Sequence, residues 1–123
     1  MSILMQQINE SMQDLMESEE GIKARFIFFP EFAGFKGHFP DKPILPGVCK
    51  IQAVIAMLEN FYGNKIYLTQ ILLAKFIAPV SANQEIIIIC TKPGQISNEI
   101  KVKASVTSGD KKIAEMQLKL MVI

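Results

Sequence analysis

Three side-chain and backbone groups in one stretch of this chain could do chemistry together: the imidazole of His38, the backbone at Gly47 and the carboxamide of Gln52. His38 is the single histidine in 123 residues. A histidine's ordinary pKa lies near working pH, so it can take a proton from a substrate and give it back. Pro46-Gly47-Val48 stands at the start of a long apolar segment. If that segment is helical, its first backbone amides lack intrahelical acceptors, and a glycine there lets a ligand oxygen approach closely. Gln52 lies five residues after Gly47, about one and a half helical turns further in. A buried amide needs partners, so Gln52 should face a polar pocket or another subunit. Lys50 projects to nearly the opposite face and is expected to reach a surface or an interface instead of sharing a site with Gln52. Each feature also has an ordinary structural reading: a surface histidine, a plain helix start, a structural hydrogen bond.

The elements that must position these groups follow from period and punctuation. Leu4, Ile8, Met12 and Leu15 recur at four- and three-residue steps, which predicts an amphipathic helix over residues 2–17 with Ser2 as its cap and Gly21 beyond its end. Glu17, Glu19 and Glu20 then read as a solvated helix end. Residues 22–29 suit a strand. Prolines at 30, 40, 43 and 46 and glycines at 34, 37 and 47 bar both helix and central strand, so residues 30–47 form a long ordered loop. Residues 47–61 are apolar nearly all round, which predicts a helix buried nearly all round, with Gly63 just past its end. From residue 65 the period changes to two. Strands are expected at Ile66–Ala78, at Ile86–Ile89 (apolar on both faces), around Val102–Val106, and at Met116–Val122, with turns at Lys92-Pro93-Gly94 and Ser108-Gly109-Asp110. A helix, a strand, a loop, one buried helix and about four more strands in a meander make an α+β domain. Its antiparallel sheet wraps around one long central helix, and residues 1–123 form a single domain.

Composition narrows the partners. Half of the residues are hydrophobic, with 8 Phe and no Trp, which fills a core and leaves material for a subunit interface. Basic and acidic residues nearly balance at 13 and 12, so nucleic-acid binding has no electrostatic footprint. Cys49 and Cys90 lie far apart and read as reduced, buried thiols. One histidine and two distant cysteines make no metal site, and no glycine-rich dinucleotide fingerprint is present. No apolar window of about 18 residues is long enough for a membrane span, and the N-terminus lacks a secretory pattern. These points favour the cytoplasm, with no membrane partner and no cofactor.

Read as one unit, Gly37-His38-Phe39-Pro40-Asp41-Lys42-Pro43-Ile44-Leu45-Pro46-Gly47-Val48 resembles the signature of the hot-dog-fold 3-hydroxyacyl-(acyl carrier protein) dehydratases of the FabZ and FabA type. Ala74-Lys75-Phe76-Ile77-Ala78-Pro79-Val80 is similar to that family's strand after the helix. Val106-Thr107-Ser108-Gly109-Asp110, with Ile113-Ala114-Glu115, is similar to its last hairpin. The resemblance implies a hot-dog fold and a division of labour. His38 takes the proton α to the thioester carbonyl, the Gly47 amide holds the thioester oxygen, and the Ile44 carbonyl orients the histidine ring. Phe39 and Val48 complete the implied substrate-binding set. A carboxylate on the central helix of the partner subunit assists loss of the 3-hydroxyl. The implied substrate is a thioester of acyl carrier protein or coenzyme A, and the implied assembly is a homodimer, a higher oligomer of dimers or a heterodimer.

The chain departs from that pattern twice. The carboxylate position is filled by Gln52, and an amide cannot act as a general acid or base in this pH range. Ile77 stands where the family often carries arginine after its Lys-Phe pair. The expected activity is therefore a dehydratase-type lyase in fatty-acid and lipid metabolism, with Gln52 positioning the leaving hydroxyl or a water while His38 performs both proton transfers. Two alternatives stay open: a catalytically impaired accessory subunit, and a hot-dog acyl thioesterase.

Overall fold

The computed structural model describes residues 2–36, 42–93 and 98–123. Ser2 caps the first helix, α1 (Ile3–Ser11), by accepting a hydrogen bond from the Met5 amide at 3.1 Å. The helix ends earlier than its periodicity predicts. Residues Met12–Ser18 form strand β1, paired with β2 (Gly21–Ile27). The cause of the misreading is a β-bulge. Between Gln13 and Met16 the ladder takes one extra residue in β1, and Asp14 sits at a φ of 55°. The extra residue stretches the inward-facing interval from two to three. Met12 and Leu15 therefore both pack on the core and mimic helical spacing. Glu19 and Glu20 form the β1–β2 turn and not a helix end.

After β2, Phe28, Phe32 and Phe35 stack in sequence, with ring centroids 4.8 and 5.5 Å apart. The Ala33 amide donates to Gln7 Oε1 at 2.7 Å, which ties this near limb of the proline-glycine loop to α1. The far limb is held by the Leu45 amide, which donates to the Val80 carbonyl at 2.8 Å. Helix α2 (Gly47–Tyr62) follows, free of internal glycine or proline, and buries nine of its 16 residues. Gly63 closes it by donating to the Glu59 carbonyl at 2.8 Å.

The remaining strands are β3 (Ile66–Phe76), β4 (Glu85–Cys90), β5 (Glu99–Ser108) and β6 (Lys111–Val122). All six pair antiparallel in one sheet, in the order β1-β2-β4-β5-β6-β3. The expected meander holds for β4, β5 and β6 only. Strand β3 crosses to the far edge beside β6, because a short connection from the end of α2 delivers it there; the Ile66 amide donates to Glu59 Oε2 at 3.0 Å. Period-two patterning identifies strands without naming their neighbours. The concave face of the sheet (Phe26, Ile88, Val106, Leu118 among others) is fully covered by the two helices and the loop. Ile86 and Ile88 are buried, whereas Ile87 and Ile89 on the convex side are half-buried, so β4 is fully covered on one face only.

Two glycines test this packing. Gly109 sits in the β5–β6 turn at a φ of 59° with open space around it. Gly21 has a φ of 135°, and a Cβ there would lie 2.2 Å from the Cys90 carbonyl oxygen. Gly109→Ala is expected to cost about 1–2 kcal/mol for the left-handed backbone alone. Gly21→Ala should cost more, because strain and a backbone collision add. Denaturant unfolding of both variants measures this; an equal or smaller loss at Gly21 contradicts the β2–β4 packing described.

Candidate active site

Of the residues expected to act, His38 and Phe39 lie outside the described residues, within 37–41. Ile44, Gly47, Val48 and Gln52 are all placed. Ile44 forms an isolated antiparallel bridge to Ser81, which fixes the loop's return limb beside the chain leaving β3. Pro46 stands at the N-cap of α2 with a φ of −61° and ψ of 148°, and it has no side chain to cap the helix. The amides of Gly47 and Val48 therefore carry the helix's positive end without an intrahelical acceptor. The Val48 side chain points outward and is largely exposed.

Gly47 opens on a pocket of about 280 Å³ that it shares with Ile44, Lys50, Phe76 and Ile77. The Phe76 ring lies so close that a Cβ on residue 47 would sit 2.6 Å from it. A larger residue at 47 would have to displace the Phe76 ring, so glycine lets the end of β3 close over the helix start. Lys50 stays apart from Gln52 as expected; of the two destinations expected for it, a surface or an interface, the solvent surface is ruled out, because it is 3% exposed. Its Nζ lies 5.2 Å from the centroid of the Phe76 ring, a cation–π contact. Burial pulls the Lys50 ammonium below its ordinary value, with the neighbouring Cys49 opposing that shift. The three-residue step from Gly47, which places both on one helix face, was the available signal.

Gln52 is half-buried and lies elsewhere. It lines a separate cavity of about 300 Å³ with Met5, Asn9, Ile55, Glu59 and Tyr67, between α1 and the start of β3. Within one chain the structure thus brings Ile44, Gly47, Lys50 and Phe76 together and leaves Gln52 out. Glu59 shares the cavity with Gln52, but its carboxylate is engaged by the Ile66 amide.

Cys49 and Cys90 are both buried and unlinked. Burial pushes the Cys90 thiol up to about 12 and raises Cys49 as well, so neither is an activated nucleophile. Among the described residues no group of three or more His, Cys, Asp or Glu could hold a metal ion. No described helix is long and apolar enough to cross a membrane.

One helix enclosed by an antiparallel sheet, with a pocket at the helix N-terminus, is the hot-dog arrangement. The chain superimposes on the dehydratase heterocomplex ApeI:P of Xenorhabdus doucetiae with a TM-score of 0.71 at 18% identity, covering 89% of this chain and 99% of that one. It superimposes on the PaaI protein of the Escherichia coli phenylacetic acid degradation operon with a TM-score of 0.63 at 14% identity, over 88% of this chain and 81% of that one. These likenesses establish the fold. Residues 13–117 match the ApeI-like family, ApeI dehydratase. The chain belongs to this dehydratase family. It is 31% identical over 113 residues to the 3-hydroxyacyl-[acyl-carrier-protein] dehydratase FabZ of Brucella melitensis biotype 2, spanning 85% of this chain and 70% of that protein. It is 29% identical over 117 residues to the FabZ of Rickettsia felis, spanning 89% of this chain and 79% of that one.

A buried ammonium that no described residue neutralises opposes folding while it is charged. Its folded pKa lies below the unfolded value of 10.5, so the opposition is greatest at neutral pH and fades as pH rises from the folded value through the unfolded one. Lys50→Met should therefore be more stable than the wild type at pH 7, with the difference shrinking towards pH ~10.4. Thermal melts across that range measure it. A destabilised Met variant at neutral pH would show that the ammonium is stabilised by its surroundings.

Proposed function

We propose that this chain is a FabZ-like dehydratase of 3-hydroxyacyl thioesters. The observation that carries the reading is the uncapped start of α2 at Gly47, opening on a pocket beside Ile44 in a member of a dehydratase family. His38 removes the proton from the carbon α to the thioester carbonyl. The amide of Gly47 receives the thioester oxygen, and the helix dipole supports the enolate-like charge that develops there. The Ile44 carbonyl orients the imidazole. The carbon–oxygen bond at position 3 then breaks, the 2,3 double bond forms, and the hydroxyl leaves as water with the proton carried by His38. Phe39 and Val48 border the acyl chain.

Gln52 serves the site of a second subunit, where its amide positions the departing hydroxyl without supplying a proton. Strand β3 supports this assembly. It is an edge of 11 residues paired to β6, and it exposes Ile71, Leu73 and Phe76, with Ile77 exposed just beyond its end. A long apolar edge left open in this way invites pairing with another sheet. The partner is a second hot-dog subunit, either another copy or a relative that carries a carboxylate at the position of Gln52. Acyl carrier protein is the preferred carrier and the cytoplasm the working compartment.

The purified chain, incubated with 3-hydroxyacyl and 2-enoyl thioesters of both carriers, should interconvert them. His38→Ala should lower the rate about 10²–10⁴-fold, and Gln52→Glu should raise it. No interconversion at any chain length, alone or with a carboxylate-bearing hot-dog partner, would sink the dehydratase reading. Release of free thiol instead would make the chain a thioesterase.

A further inference from the structure

Lys50 is buried, and among the described residues no acidic side chain meets its ammonium. Its pocket neighbours are apolar or backbone: Ile44, Leu45, Pro46, Phe76, Ile77 and Ala78. Among the described residues it makes no ion pair or hydrogen bond, and its one polar-type contact is the face of Phe76. An ammonium in that position is costly to keep unless something anionic joins it. The same pocket contains the positive end of α2. Gly47 and Lys50 are three residues apart on one helix face, and the Phe76 ring touches the first and underlies the charge of the second. Two independent features, an uncapped helix start and a buried unpartnered cation, thus converge on one small volume.

We infer that Lys50 is a further catalytic residue, a charged donor to the thioester enolate oxygen held at Gly47. The inference rests on the reading of Gly47 as the thioester-oxygen site. As the α-proton leaves, negative charge moves onto that oxygen. A preorganised ammonium in a dry pocket stabilises it far more than water would, and without reorganisation during the step. The neutral thioester gains little from the same charge, so the contribution falls on the transition state and not on ground-state binding. Lys50 does not replace the acid missing at residue 52, because it lies with Gly47 and acts on the enolate oxygen and not on the leaving hydroxyl. Its four-carbon stem allows the small shift from the Phe76 face to the oxygen.

The probe is acetoacetyl-coenzyme A, whose conjugated enolate absorbs at longer ultraviolet wavelength than its keto form. The full chain should bind it and raise the enolate-to-keto ratio at a given pH. Lys50→Met should lower that bound ratio about 10²–10³-fold, Lys50→Arg should keep much of it, and the affinity of both variants for crotonyl-coenzyme A should stay close to that of the wild type. In turnover, Lys50→Met should lower kcat with KM little changed. An unchanged enolate ratio in Lys50→Met overturns the inference, as does a matching loss of crotonyl-coenzyme A binding, which would mark a packing role. Enolate enrichment that depends on Lys50, in a protein that turns over no 3-hydroxyacyl thioester, would leave the inference standing and overturn the dehydratase reading. Failure of the wild type to bind either thioester would overturn both.

Discussion

Ala53, Val54, Ala56, Met57 and Leu58 of α2 have no exposed surface, and Ile51 and Ile55 have almost none. Burying each of the larger side chains is worth about 1.5–3 kcal/mol, so the sheet holds the helix far more than intrinsic propensity does. Such burial has to stop at the helix ends, where backbone polar groups remain. The C-terminal end is closed from within, by the Gly63 amide on the Glu59 carbonyl and by the Glu59 carboxylate on the Ile66 amide. The N-terminal end is closed by nothing of its own, since Pro46 offers no capping side chain. The wrapping that excludes water along α2 leaves its positive end as the place where an anion would be welcome. Core and site are two consequences of one packing requirement.

The Phe76 ring shows how closely the two are joined. As the last residue of β3 it belongs to the sheet, yet its ring occupies the space a side chain at residue 47 would need. The glycine at the helix start is therefore demanded by the packing of a strand some thirty residues later in the chain. Residue 45 does the same for the loop, because its amide donates a hydrogen bond to the Val80 carbonyl and pins the return limb to the segment that follows β3. The helix start, the loop and the strand end hold one another in register.

This explains what could be read from residue order and what could not. The apolar run over 47–61 announced α2, and the turn residues around Gly109 announced the last hairpin, because each is a local pattern with a local cause. Met12 and Leu15 misled for an equally local reason: the bulge at Asp14 gives a strand the three-residue step of a helix. The place of β3 at the far edge depends on how the helix end delivers the chain, which no period records. Within the site, Ile44 and Gly47 were legible from their unbroken register and do share a pocket. Gln52 was read as a buried amide facing a polar pocket or another subunit; it is half-buried, and its separation from Gly47 within one chain needed the fold. For Lys50 a lysine's type allowed a surface or an interface, and only the position of Phe76 shows that it has no solvent within one chain.

The site that results is asymmetric in charge. Where an acid would be expected, Gln52 supplies a neutral amide; where the helix start already offers partial positive charge, Lys50 adds a whole one. Under the proposed chemistry this shifts the work towards stabilising the anion and away from protonating the leaving group. A group kept at the expense of folding is what a functional site requires when its ligand, and not the protein, provides the counter-charge. On this view the cost of burying the Lys50 ammonium in the free protein and its value to the developing enolate have one cause, the dry pocket that β3 and α2 make together.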